Sequence, residues 1–350
     1  LQKLFLAFLI TAFLAGAPVF AGEYRDVTPD YYPKFPEDFY YKPDFRVQWW
    51  YFTGHLFDEK GREFGYELTF FGVGIQKRVY RSRFGVNTLF ISHLALSDVE
   101  GKSYRSFERA DSGAFDSAGA RDDRLKVWIG KDSLQGTTER MHLTASEGNI
   151  SLDLNLVPTR PVVLHGEHGY SRKSEESPLY ASCYFSFTDL ETEGTISMDN
   201  MTFRVKGKSW FDREISSEGL AKSEKGWDWF ALQLDDGREI MLYLLRKTDG
   251  MIDTFSSGTF VYGDGSYRSL ALRDFTVTVL DHFRSEKTGA YYPSRWQIHI
   301  PSENLLLTVT PLIKDQEFLA RYSTGNFYWE GTARIEGTAG GRAYVEMTGY

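Results

Sequence analysis

The stretch 47-VQWWYFTGHLF-57 places Trp49, Trp50, Tyr51 and Phe52 in succession, followed by Gly54 and His55. Successive side chains of a β-strand point to opposite faces, so a strand with one wet face alternates apolar and polar residues. This one does not alternate, which predicts a strand buried on both sides. A second stretch has the same layout. Trp227 matches Trp49, Trp229 matches Tyr51, Phe230 matches Phe52, Gln233 matches His55 and Leu234 matches Leu56. Each stretch runs into a polar turn ending Gly-Arg-Glu (61–63 and 237–239) and then into a second apolar strand. The same hairpin is therefore used twice, and the long period excludes a solenoid or propeller.

The rest of the chain reads as β. The runs 64-FGYELTFFGV-73, 89-LFISHLALSDV-99, 150-ISLDLNLV-157, 239-EIMLYLLR-246, 274-DFTVTVLDHF-283 and 305-LLLTVTPLI-313 are short and rich in β-branched or aromatic residues. Glycine-bearing polar turns separate many of them, as in 58-DEKGRE-63 and 262-YGDGSY-267, and these suit tight antiparallel hairpins. The one helical turn expected lies around 315–322. Two similar β domains of this size fit two barrels, each with room for side chains or one small ligand. The expected divisions are a leader over 1–21, an extension over 22–45, a first barrel over 46–220 and a second over 221–350. The polar stretches 165–178 and 214–226 read as loops.

Composition narrows the function. The chain has 350 residues, a formal charge of −8 and a single cysteine, Cys183. An acidic chain with no basic block is poorly suited to nucleic acid. One cysteine forms no intramolecular disulfide. The segment LQKLFLAFLITAFLAGAPVFA pairs Lys3 with an apolar run and a small-residue exit, the layout of a cleaved secretory leader. The run is too short for a spanning helix. An extracytoplasmic protein with no transmembrane segment after cleavage is expected. Aromatics form 16% of the chain, ample for an apolar pocket.

The strings 49-WWYFTGHL-56, 92-SHLALSD-98, 169-GYSRK-173, 207-GKSWFDRE-214, 226-GWDWFALQLDDGREIMLYLLR-246 and 344-YVEMTGY-350 resemble the AttH/CrtC group. That group includes the carotenoid 1,2-hydratases (hydroxyneurosporene synthases). The resemblance runs from about Tyr41 to Tyr350. It implies an all-β fold of two tandem lipocalin-like antiparallel barrels packed together, and a site for an apolar, lipid- or isoprenoid-like molecule. It also implies hydration of a terminal double bond in the carotenoid enzymes. Fungal relatives guide a pericyclic ring closure. The leader sets this chain apart from the carotenoid enzymes.

Hydrating an unactivated alkene needs a strong acid, a stabilised cation and a placed water. A carboxyl desolvated in an apolar pocket keeps its proton, and aromatic faces stabilise cations. On a strand Trp210, Asp212 and Glu214 share a face. Asp212 and Glu214, with His93, are thus the expected catalytic groups, and a structural ion pair to Arg213 or another Arg is the alternative. Glu67 is a further acid candidate. Trp49, Trp50, Tyr51, His55, Trp210, Trp227, Asp228 and Trp229 are the expected ligand contacts. His55 aligns with Gln233, which hydrogen-bonds but does not titrate, and this points to an architectural role.

No metal or cofactor is called for. His165 and His168 lack a helical metal spacing, and Gly207-Lys208-Ser209 lacks the first glycine of a phosphate loop, because residue 202 is Thr. There is no Gly-x-Ser-x-Gly elbow and no His-Glu-x-x-His string. Two functions remain open, a hydratase-like enzyme and a non-catalytic carrier or chaperone of a hydrophobic ligand. A hydrolase with a non-local site is the further alternative.

Overall fold

The computed structural model describes residues 23–75, 77 and 86–350, so the expected leader lies outside the described residues. Among the described residues the regular structure is strand, apart from four single-turn 3-10 segments. One sheet holds β1 (Val47–Asp58), β2 (Glu63–Gly74), β3 (Thr88–Asp98), β4 (Ser103–Asp111), β5 (Ala118–Ala120), β6 (Leu125–Ile129) and β7 (Asp132–Gly136). It continues with β8 (Met141–Glu147), β9 (Ile150–Pro158), β10 (Val163–Leu164), β11 (Tyr170–Arg172), β12 (Ala181–Met198) and β13 (Met201–Ser216). The other holds β14 (Glu224–Leu234), β15 (Glu239–Lys247), β16 (Ser257–Val261), β17 (Tyr267–Ala271) and β18 (Thr276–Arg284). It ends with β19 (Tyr291–Ile300), β20 (Leu305–Pro311), β21 (Glu317–Ala320), β22 (Asn326–Gly337) and β23 (Gly341–Thr348).

All pairings are antiparallel. The order β4-β3-β2-β1-β13-β12-β9-β8-β7-β6-β5 curls into a nearly closed barrel. Its seam is bridged by Asp132, which accepts from Ser92 at 2.7 Å and from Arg109 at 3.0 Å. The order β17-β16-β15-β14-β23-β22-β20-β19-β18 makes a half-barrel. In both sheets the first strand is flanked by its hairpin partner and by the last strand: β2 and β13 around β1, β15 and β23 around β14.

The duplicated hairpins place their two faces alike. Trp50, Phe52 and Leu56 sit in the first barrel's core; Phe230, Leu232 and Leu234 sit in the second's. Trp49, Tyr51, Trp227 and Trp229 form a separate cluster with Tyr184, Trp210, Tyr243 and Tyr344 between the sheets. The aromatic run is therefore buried on both sides because one face fills its own barrel and the other meets the partner. Close approach of the sheets relies on Gly65 of β2, where a Cβ would lie 1.7 Å from Cγ2 of Thr332 on β22. The extension adds Val27, Phe39 and Phe45 to the first core.

Two local expectations are corrected. The stretch around 315–322 holds strand β21, because Phe318 and Ala320 bury against β22 and Phe318 stacks on Tyr328. The stretch 165–178 is not a solvated loop. Its β11 pairs with β12, and His165, Ser171 and Ser174 are buried.

Candidate active site between the sheets

Strand alternation on β13 splits the string Trp210-Phe211-Asp212-Arg213-Glu214. Phe211 joins the first core and Trp210 the inter-sheet cluster. Arg213 takes the core side, where it is fully buried. Its guanidinium covers the Trp50 ring at 4.0 Å and donates to the Tyr40 carbonyl and to Gln48 Oε1, both at 2.8 Å. The ion pair from Arg213 to Asp212 or Glu214 is thus excluded by strand geometry. Its role is to tie the extension to β1 and β13.

Register sets Asp212 between Tyr51 of β1 and Ser186 of β12, and Glu214 between Trp49 and Tyr184. Asp212 is buried and accepts from three donors. Trp210 Nε1 and the Tyr184 hydroxyl each donate at 2.6 Å, and the Ser186 hydroxyl donates to Oδ1. Burial pushes this carboxyl up, the three donors hold it down, and neighbouring Glu214 raises it again; the balance stands at about 7.

The donors are themselves held. Trp229 Nε1 donates to the Tyr184 hydroxyl at 3.0 Å across the interface. His165 Nε2 lies 2.7 Å from Ser186 Oγ and Nδ1 lies 2.8 Å from Thr259 Oγ1 of β16. Because Ser186 donates to Asp212, Nε2 carries the His165 proton and Thr259 donates to Nδ1. Burial, with the Lys173 charge adding to it, depresses the His165 pKa to about 3, so the ring is a neutral spacer. Glu214 pairs with Lys173 at 2.9 Å and accepts from Ser182. Lys173 also lies over the rings of Tyr184 and Tyr243, at 4.8 and 4.4 Å. Burial alone would lower its pKa, but Glu214, with Tyr243 and Asp212, outweighs this and raises it.

Three more carboxyls complete the layer. Glu346 stands opposite Trp229 on one side and Glu330 on the other. Burial, opposed by a Trp227 hydrogen bond and reinforced by Asp212 and Glu214, pushes it up to about 8. Glu330 adjoins Glu67 of β2, and both stand well above the usual carboxylate range: Glu67 through burial and nearby Glu346, Glu330 through burial and the neighbouring Glu67 and Glu346. The interface thus holds carboxylic acids that keep protons at neutral pH, among Trp and Tyr rings.

The remaining expected residues fall in different places. Trp49 and Trp227 are half-buried at the edge of the aromatic cluster. Trp50 is on the opposite face of β1, in the first core, and gives its Nε1–H to the Phe39 carbonyl at 2.7 Å. Asp228 likewise lies on the barrel side of β14, paired with Arg246 at 3.0 Å and Tyr350 at 2.9 Å. His93 is in the interface, but its partners are Tyr328 at 2.6 Å and Ser323 at 2.8 Å, not Asp212; burial lowers its pKa to about 4. His55 gives Nε2–H to the Ala343 carbonyl at 3.0 Å, with Nδ1 at 3.2 Å from Glu63.

Sequence reasoning missed Tyr184, Ser186, Glu330 and Glu346, read Lys173 only as part of a lid in the string 169-GYSRK-173, and weighed His165 only as a metal ligand. One signal was present. In 181-ASCYFSF-187, Ser182, Tyr184 and Ser186 alternate with apolar residues and mark a polar-lined face. Among the described residues no group of three or more His, Cys, Asp or Glu side chains could hold a metal ion.

The sheets close tightly here. The space bounded by Thr53, His55, Trp210, Gln233, Arg342 and Tyr344 is about 10 Å³, barely a water's worth. A larger open groove of about 570 Å³ lies on β6 to β9, lined by Arg124, Lys126 and Arg140, and shares no residue with the acid layer.

Fold and site together define a double-sheet β protein with an acid layer at the junction. The profile of the AttH-like family matches residues 26–350, and the chain belongs to that family. It is similar to the crystal structure of an AttH candidate (NE1406) from Nitrosomonas europaea, with 31% identity and a TM-score of 0.85 over 93% of this chain and 99% of that one. Kievitone hydratase from Nectria haematococca shares the fold at 14% identity and a TM-score of 0.71, over 94% and 97% of the two chains. Dehydratase asqC of Emericella nidulans is 22% identical over 246 residues, 66% of this chain and 67% of that protein.

Proposed function

We propose that this protein is a hydro-lyase, adding water to or removing it from a carbon–carbon double bond of an apolar molecule that is admitted when the closed sheets part at the junction. Asp212 carries the reading. It is a buried carboxyl poised near neutrality, fixed by Trp210, Tyr184 and Ser186 and flanked by Trp229. A general acid–base works best with a pKa close to the working pH. In the hydration direction Asp212 gives its proton to one alkene carbon. The cation on the other carbon faces the π-systems of Trp210, Trp229 and Tyr184. Water attacks that carbon and its proton returns to the carboxylate, so the acid is regenerated. Dehydration is the reverse. The relatives named above include a hydratase and a dehydratase, the two directions of this reaction.

The partly exposed Trp49, Trp227 and Lys173 mark the edge from which the ligand enters. The apolar run after Lys3 supports an extracytoplasmic setting and therefore a substrate met outside the cytoplasm.

Isotope incorporation tests the proposal. The protein is incubated with a panel of prenyl alkenes and tertiary alcohols in ¹⁸O-labelled water, and products are read by mass spectrometry. Labelled alcohol from wild type, lost at least 100-fold in Asp212→Asn, is the expected result. Wild type that binds panel members but never turns them over would replace the enzyme with a carrier. Unchanged turnover in Asp212→Asn would remove Asp212 from its role.

A further inference from the structure

On the side of the interface away from Glu214, several fully buried polar atoms have no hydrogen-bond partner. They are Oε1 of Glu330 and the hydroxyls of Tyr104 and Tyr344, together with the carboxyl of Glu67 and the hydroxyl of Thr69, whose contacts are confined to one another and to Glu330. Glu67 and Thr69 come from β2, Tyr104 from β4, Glu330 from β22 and Tyr344 from β23, so the two sheets contribute jointly. The Glu330 and Glu67 carboxyls lie close enough to act on both the Tyr104 and Tyr344 hydroxyls, and register adds the rest. Thr69 and Tyr51 are cross-strand partners, as are Glu330 and Glu346, and the Tyr51 hydroxyl reaches Glu330 Oε2 at 3.3 Å. Buried polar groups are almost always paired, and an unpaired one loses its hydration with no return. Such a concentration in one place asks for a ligand group.

The chemistry of the atoms selects that group. The Tyr104 and Tyr344 hydroxyls need an acceptor. The adjacent carboxyls of Glu67 and Glu330 are both held neutral and touch each other, and the lone pairs left over need a donor. A neutral O–H supplies both at once. A carbonyl only accepts, an ammonium only donates, and an anion is repelled by the carboxyl pair.

We propose that Glu67, Glu330, Tyr104, Tyr344 and Thr69 form a seat for a hydroxyl group, either a water molecule or an alcohol or phenol of the ligand. Two strand spacings and a two-residue offset separate Glu67 on β2 from Asp212 on β13, roughly 12 Å. For the hydro-lyase proposed above, on which this role rests, the seat holds the adding water or anchors an oxygen function of the substrate at that distance from the reacting carbon.

Crystals of wild type and of Tyr344→Phe, grown at pH 7 and soaked with or without geraniol, decide it. An ordered oxygen within hydrogen-bond distance of Glu67 and Tyr344 is expected in wild type and lost in Tyr344→Phe. A water that geraniol does not displace assigns the seat to water; the alcohol oxygen in its place assigns it to the ligand. Tyr104 and Tyr344 donating directly to Glu67 or Glu330, with no oxygen between, would overturn the seat. Turnover by Asp212→Asn is a separate readout, so failure of either proposal is recognisable without the other.

Discussion

Tyr51 and Trp229 occupy the same place in the two copies of the duplicated hairpin, and they meet edge to face across the interface, ring centroids 5.3 Å apart at 84°. The next matched pair behaves reciprocally. His55 bonds to the carbonyl of Ala343, the cross-strand partner of Leu232, while Gln233 bonds to the carbonyl of Ser209, the cross-strand partner of Gly54. Gly54 and Leu232 are themselves equivalent in the repeat. The two halves therefore pack like the subunits of an isologous dimer, each giving the other the same contact.

This reciprocity predicts which substitutions at His55 are tolerated. His55→Gln should change stability by less than about 1 kcal/mol, since Gln does the same task at 233. His55→Ala and Gln233→Ala each orphan buried carbonyls and should cost about 1–3 kcal/mol. Urea denaturation of the three variants checks the ranking, and a large loss in His55→Gln would assign His55 a task beyond hydrogen bonding.

The pH profile of turnover should report Asp212. In hydration the acid must hold its proton, and its pKa in the folded protein is about 7. The rate is expected to be level below pH 7 and to fall about tenfold per pH unit above it. A profile flat to pH 9 would mean that another group supplies the proton.

Glu346 links stability to pH with a definite sign. Its pKa rises from 4.5 to about 8 on folding, so the folded state holds a proton that the unfolded state has released. Stability from this group falls as pH climbs from about 4.5 to about 8 and is level beyond. Glu346→Gln escapes that loss. The stability difference between variant and wild type should therefore widen in favour of the variant across that window, on the order of a few kcal/mol in all, and Tm should follow it. Parallel melting curves from pH 4 to 9 measure it.

Arg213 should be structural and sensitive. Its fork serves carbonyls on three segments and lies over Trp50, and a lysine ammonium cannot reproduce that geometry. Arg213→Lys is expected to lose about 3 kcal/mol, through disorder of the extension, while ligand binding per folded molecule persists. Limited proteolysis near residues 37–45 would show the loosened segment.

Much of this was legible in the chain. Alternation and glycine-bearing turns placed the strands β2, β3, β9, β15, β18 and β20, and the Trp49–Leu56 repeat showed that one hairpin serves twice. Strand alternation also put Asp212 and Glu214 on one face with Trp210. These are local properties, with period 2, and neighbours within a strand reveal them. The error at 315–322 has the same origin, since a four-residue strand is too short to show a period and only pairing with β22 fixes it.

The sequence by itself determined the β class, the duplicated hairpin and the two alternating faces of each aromatic strand. Only the tertiary structure decided which face met the partner sheet, sending Trp50 and Asp228 into the barrels and Tyr51 and Trp229 to the junction. It alone gathered Asp212, Glu214, Glu67, Glu330 and Glu346 from four strands of two sheets. The physical reason is that a carboxyl's chemistry depends on its desolvation and neighbours. Those neighbours lie up to 279 residues apart in the chain, as Tyr51 and Glu330 do.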